Sequence, residues 1–190
     1  MSQVIRFECK RCCIHLITYW QVGFTSRVSR QAVTIKFTGE AMALRRISKD
    51  HEELRSHPLE NLWACPNEDK DDPYIWQVTM LGPPATPYEG GIFFLDMYFS
   101  EDYPWVKPKV KFSTAIYHPN VNSKGEVCLD LLTNHWKPDF TISSVLLGLY
   151  TLLAEPSPED FLNLEIANEF RDDREKFNET AREWTEKWAV

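Results

Sequence analysis

No stretch of this chain approaches the roughly 18 consecutive apolar residues that a membrane-spanning helix needs, so no membrane partner is expected. Internal repeats and low-complexity tracts are absent too. A short apolar run lies around Ile14 to Val22, but His15, Thr18 and Gln21 interrupt it and no small-residue cleavage site follows, so no secretory signal is expected. A disulfide framework is missing as well. The five cysteines are odd in number and three cluster at Cys9, Cys12 and Cys13, which fits a reducing compartment, cytoplasmic or nuclear. Basic charge is short: the net charge of −7 argues against a general nucleic-acid binder, which would show a basic surface.

What is present fits a globular chain of one domain plus an appendage. Apolar residues make up 43% and aromatics 13%, too many for a disordered polymer. Residues 1–41 carry six basic side chains against Glu8 and Glu40, a net +4 that leaves −11 for the remainder. This extension is set apart from a patterned domain over 42–190. Within it, Val33 to Phe37 has β propensity. Cys9, Cys12, Cys13 and His15 invite a zinc reading, but tight structural sites split their ligands into two spaced pairs, so no metal is expected.

The periodicities give an element order. Leu44, Ile47, His51 and Leu54 share one face of a helix over about Gly39 to Ser56, with Thr38 as N-cap and His57-Pro58 as its end. Arg45, Arg46 and Lys49 would form its basic outer face. Tyr74, Trp76, Val78 and Met80 alternate with Ile75, Gln77 and Thr79, Phe93, Leu95, Met97 and Phe99 alternate with Phe94, Asp96 and Tyr98, and Lys109 to Phe112 adds a shorter strand. Between the last two, Trp105 is either a core plug or an exposed anchor. Thr141 can cap a buried helix carrying Ile142, Val145, Leu146, Leu149, Leu152 and Leu153. Pro156 and Pro158 break it. A helix through Leu164 to Phe170 follows. The last runs from about Asp173 to Trp188, with Phe177, Ala181, Trp184 and Trp188 on one face and Glu183 to Lys187 as an i, i+4 pair.

One stretch reads as a built site. In Tyr117-His118-Pro119-Asn120 the proline forbids helix or sheet interior. Asn122, Ser123 and Gly125 are turn formers, and the loop ends on a lone Cys128 between Val127 and Leu129. An isolated cysteine is usually a small buried hydrophobe. A cysteine on a shaped loop with an amide nearby is also the makings of a nucleophile with an oxyanion donor.

His118-Pro119-Asn120, then eight residues to Cys128, then Leu129-Asp130, resembles the active-site signature of ubiquitin-conjugating enzymes. Pro87-Tyr88-Glu89-Gly90-Gly91, Asp102-Tyr103-Pro104, Trp136 with Pro138, and Arg182-Glu183-Trp184-Thr185 match as well. The resemblance covers Met42 to Val190 and looks closest to the small, tail-less subfamily D type. It implies an α+β fold: a four-stranded antiparallel meander with an N-terminal helix and three C-terminal helices. It further implies that Cys128 carries ubiquitin as a thioester, that Asn120 serves the oxyanion, and that Asp160 flanks the incoming lysine. Tyr117, His118, Pro119 and Asp130 would shape the loop. Arg45, Arg46, Trp105 and Pro138 would face a ligase. Asn120 has the alternative of bracing the loop through its backbone, and Asp160 that of a helix N-cap.

The partners so implied are ubiquitin, a ubiquitin-activating enzyme, a RING-type or HECT-type ligase and substrate proteins. No cofactor would be bound, ATP being used upstream by the activating enzyme. Two departures bear on partners: Asp139 puts a charge where the family usually has a small apolar residue, and Trp63 stands where a serine helps bind a second ubiquitin. Glu126 and Asp130 would raise the thiol pKa. A carrier of another ubiquitin-like modifier, a non-catalytic ubiquitin-binding scaffold and a cysteine protease are the rival readings.

Overall fold

A computed structural model describes residues 30–133 and 135–190. The zinc reading at Cys9 to His15 and the apolar run at Ile14 to Val22 lie outside the described residues.

Helix α1 runs Arg30–Ser56. It begins before the Thr38 cap and passes through Val33 to Phe37, which the sequence reading placed in a strand. β propensity describes how a side chain fits a pleated neighbour, and this segment pairs with no strand among the described residues. Helix propagation adds a backbone hydrogen bond per residue and absorbs the interior Gly39 at a cost of about 1 kcal/mol. The buried stripe of α1 is Ala43, Ile47, Asp50 and Leu54, at the i, i+4, i+7, i+11 spacing of one helical face. α1 ends where His57 N–H bonds Glu53 O and Pro58 follows.

Four strands form one antiparallel sheet in sequence order: β1 Leu62–Pro66, β2 Ile75–Leu81, β3 Ile92–Tyr98 and β4 Lys109–Phe112. The expected α+β class and meander are what the chain adopts. Period-2 alternation puts Trp76, Val78 and Met80 opposite Met97, Leu95 and Phe93, and Phe112 and Val110 opposite Leu95 and Met97. All are buried on one face. β1 is the strand that alternation did not reveal. It is short, sits at the edge and ends on Pro66, which an edge strand tolerates.

α2 (Ile142–Ala154) is capped by Thr141, whose hydroxyl accepts from Ser144 N–H. Its six expected apolar residues are all buried in the core shared with the sheet. α3 (Leu164–Asp172) is capped by Asn163 and α4 (Arg174–Trp188) by Asp173. On α4 the buried stripe is Phe177, Ala181 and Thr185, with Ala189 just beyond. Trp184 and Trp188 therefore fall on its flank and stay half exposed, unlike the expected all-aromatic face. Tyr117 covers part of Trp184 with ring centroids 5.7 Å apart. Lys187 lies over the Trp188 ring at 4.8 Å and makes no ion pair with Glu183.

Candidate active site

The Cys128 loop is held from both ends by its own main chain. Val121 and Val127 form an antiparallel bridge, and Asn122 N–H bonds Glu126 O at 3.0 Å. The Asn122 Oδ1 accepts from Lys124 N–H and Glu126 N–H, closing the turn. Gly125 is required there. Its φ is +80°, and a Cβ would stand 2.2 Å from Phe112 O. The turn thus delivers Cys128, whose N–H bonds Asn120 O at 3.0 Å.

His118 is fully buried. Its Nε2 lies 3.0 Å from Leu152 O on α2, and its Nδ1 accepts from Asn120 N–H at 3.1 Å. These two bonds require the neutral tautomer with hydrogen on Nε2. Burial pulls its pKa down to about 4, against a smaller opposing effect of the Leu152 carbonyl. The residue therefore spans the loop and α2 as a strut. Between pH 6.5 and about 4 an unfolded chain binds a proton here that the folded chain does not. Stability is then full above pH 6.5 and falls as pH drops through that window, by about 3 kcal/mol from this group. The expected result is that His118→Gln, which stays neutral, is less stable than the parent at pH 7 and loses less on acidification to pH 4.5. Urea midpoints at the two pH values measure it.

Pro119 is buried, and its carbonyl accepts from Leu162 N–H at 2.8 Å and Asn163 N–H at 3.2 Å. Tyr117 presents its carbonyl to Tyr88 Oη at 2.8 Å and donates its own hydroxyl to Glu169 at 3.0 Å. Asn120, also fully buried, spans to the segment between α2 and α3. Its Nδ2 donates to Ser157 O at 2.8 Å, and its Oδ1 accepts from Ser157 N–H at 3.0 Å. The amide is a two-pronged brace, the bland alternative for this residue, and one N–H of Nδ2 has no partner among the described residues.

Asp160 ends a single 3-10 turn, Pro158–Asp160. The N-cap of α3 is Asn163, so the capping alternative for Asp160 does not hold. Its Oδ2 accepts from Ser157 Oγ at 3.3 Å, and its carboxylate lies close enough to the Cys128 thiol for its charge to raise the thiol pKa. Cys128 is half-buried. Burial pushes its pKa up, and the Asp160 and Asp130 charges add to this while Lys107 opposes it. Glu126, expected to contribute, faces Asn122 Nδ2 at 2.7 Å instead. Asp130 is exposed and pairs with His135 at the start of the next turn.

The four residues read as a ligase surface lie on other elements. Arg45 is exposed on α1, and Trp105 is 69% exposed on the β3–β4 connection, so it does not plug the core. Arg46 departs from the expected basic face. Its guanidinium turns inward to Asp50 at 2.9 Å, Pro138 O at 2.6 Å and Phe140 O at 2.7 Å. Asp50 is 1% exposed and also accepts from Tyr103 Oη at 2.6 Å. Trp136 Nε1 donates to Pro104 O at 2.7 Å, tying the loops of Trp105 and Pro138 together. Asp139 is exposed, so the charge there carries no burial cost. Trp63 is half exposed on the outer face of β1.

A model of the ubiquitin-conjugating enzyme family matches residues 46–185. The chain belongs to this family. Within the matched span lie the Cys128 loop, the Asn120 brace and the Asp160 turn. The match brings an involvement with ubiquitin, its activating enzyme and ligases as the family's setting. Ser157 was missed by the sequence reading, although a residue between two prolines carries the only N–H in Pro156 to Pro158 and must find an acceptor. Asp50 was missed too. A carboxylate on the apolar stripe of α1, four residues after Arg46, is its signal.

Proposed function

We propose that Cys128 accepts ubiquitin as a thioester from the activating enzyme and passes it to a substrate lysine with the help of a ligase. The observation that carries this reading is a half-buried thiol beside the Asp160 carboxylate, anchored through its own N–H to Asn120.

The first step exchanges one thioester for another. The Cys128 sulfur attacks the carbonyl of the arriving thioester, and the activating enzyme's thiolate leaves. The bonds are near-equivalent, so a thiol with a raised pKa suffices provided the complex supplies a path for its proton. The second step is harder, because a lysine of pKa about 10.4 must lose a proton before it attacks. Its nitrogen forms the amide, the Cys128 thiolate leaves, and the proton departs by way of Asp160 or solvent. Once the thiol is acylated, the neighbouring Asp160 carboxylate receives the lysine ammonium. The Asn120 N–H left over from the brace is the oxyanion donor. Trp105 and Pro138, held by the Asp50 and Arg46 cluster, form the ligase-facing rim.

Incubation of the full chain with purified activating enzyme, ubiquitin and ATP is expected to yield an adduct of one ubiquitin mass that disappears on adding thiol reductant. No adduct with ubiquitin, but one with another modifier and its own activating enzyme, would reassign the cargo. No adduct with any of them would leave a binding scaffold.

A further inference from the structure

Behind the Cys128 loop, α4 borders a cleft of about 330 Å3, at the small end of the range for ligand sites. Its walls are the turn from Ala85 to Glu89 and the exit of α2 at Leu153 to Pro156. Arg174, Asn178 and Arg182 line it from α4, and at i, i+4 and i+8 they stand in one row. The Arg174 guanidinium stacks on Phe170, 3.8 Å from the ring centroid, which occupies its face and leaves its N–H edge for a planar anion.

The neighbouring cations Arg171 and Lys176 pair with Asp172 and Glu169. Arg174 and Arg182 make no ion pair among the described residues. Glu89 lines the same cleft; its Oε2 accepts from Ala85 N–H at 2.7 Å, and its carboxylate makes no ion pair with either arginine. Asn178 Oδ1 is buried with no hydrogen-bond partner. An orphan acceptor of this kind is costly until a donor reaches it. Two positive charges flanking an acceptor ask for an anion at each end and an N–H between.

We propose that this cleft binds an acidic segment of a partner protein in extended form, with carboxylates four residues apart on Arg174 and Arg182 and an intervening backbone N–H on Asn178. Eight helical residues rise about 12 Å, and four strand residues about 13 Å, with i, i+2 and i+4 on one side. The chain's own residues 1–29 do not supply the charge, since they hold four basic residues against Glu8. A small dicarboxylate supplies charge but no amide. Binding here needs no reaction at Cys128, so its failure leaves the carrier reading untouched.

The test is an amide NMR titration of the full chain at low salt with the blocked peptide Asp-Val-Thr-Val-Asp. Saturable shifts confined to 85–89, 153–157 and 174–182 are expected. The Asn-Val-Thr-Val-Asn peptide and free succinate should each bind at least tenfold more weakly. Arg182→Glu, at an exposed position, should weaken the acidic peptide at least tenfold while the rest of its spectrum superimposes on the parent's. Shifts elsewhere, equal binding of the neutral peptide, succinate as good as the peptide, or an unchanged affinity in Arg182→Glu would each overturn the proposal.

Discussion

Replacing Cys128 by alanine is expected to abolish the reductant-sensitive ubiquitin adduct entirely, with the fold intact. The side chain is small and half-buried, so losing its sulfur leaves little cavity. The loop is held by main-chain bonds and by Asn122, none of which uses the thiol. Cys65, the other cysteine among the described residues, lies on the edge strand β1 opposite Gln77, in the sheet and away from the loop. An adduct that survived Cys128→Ala would therefore have to sit on another sulfur and would remove the nucleophile from its assigned place. Gel shift with and without reductant, beside a thermal melt, reads both outcomes.

Asn120→Ala is expected to separate the two chemical steps. The substitution removes the acceptor of Ser157 N–H and leaves that half-buried donor unpaired, while Ser157 O keeps only Asp160 N–H at 3.3 Å. That costs about 2 kcal/mol, or roughly 4–8 °C in Tm for a domain of this size. It also deletes the proposed oxyanion donor, worth about 100-fold in rate. Discharge of the thioester to free lysine should fall by about that factor, while loading changes by less than about threefold. If loading and discharge fell together, the amide would be a brace and nothing more. Single-turnover measurements of each step, at a temperature where the variant is fully folded, decide it.

The fold was legible wherever burial follows a strict period. Trp76, Val78 and Met80 alternate because one face of β2 meets the core, and the α2 stripe repeats because one face of that helix does. Legibility failed where side chains are displaced by a single position. On α4 the large aromatics Trp184 and Trp188 drew attention, yet the smaller Thr185 and Ala189 occupy the core, because the start of β3 approaches so closely that Ile92 N–H bonds Ala189 O. It failed again at Val33 to Phe37, where residue preference spoke for a strand but no neighbouring strand exists among the described residues to receive it. In the site, loop residues announced themselves through Pro119, Gly125 and the spacing to Cys128. Their partners did not, since the Leu152 carbonyl and the Ser157 amide are main-chain groups whose positions follow from tertiary packing alone. Arg46 shows the same limit: its outward place on a helical wheel says nothing of the Pro138 and Phe140 carbonyls that draw it in.

The buried Asp50 carboxylate has a mechanical consequence. One oxygen holds the Arg46 clamp on the Pro138 side and the other holds Tyr103 on the Trp105 side. Two loops far apart in sequence are thereby hinged on a single helical residue. Substitutions at the exposed ends of these loops leave the joint undisturbed, whereas a change at the joint displaces both loops at once.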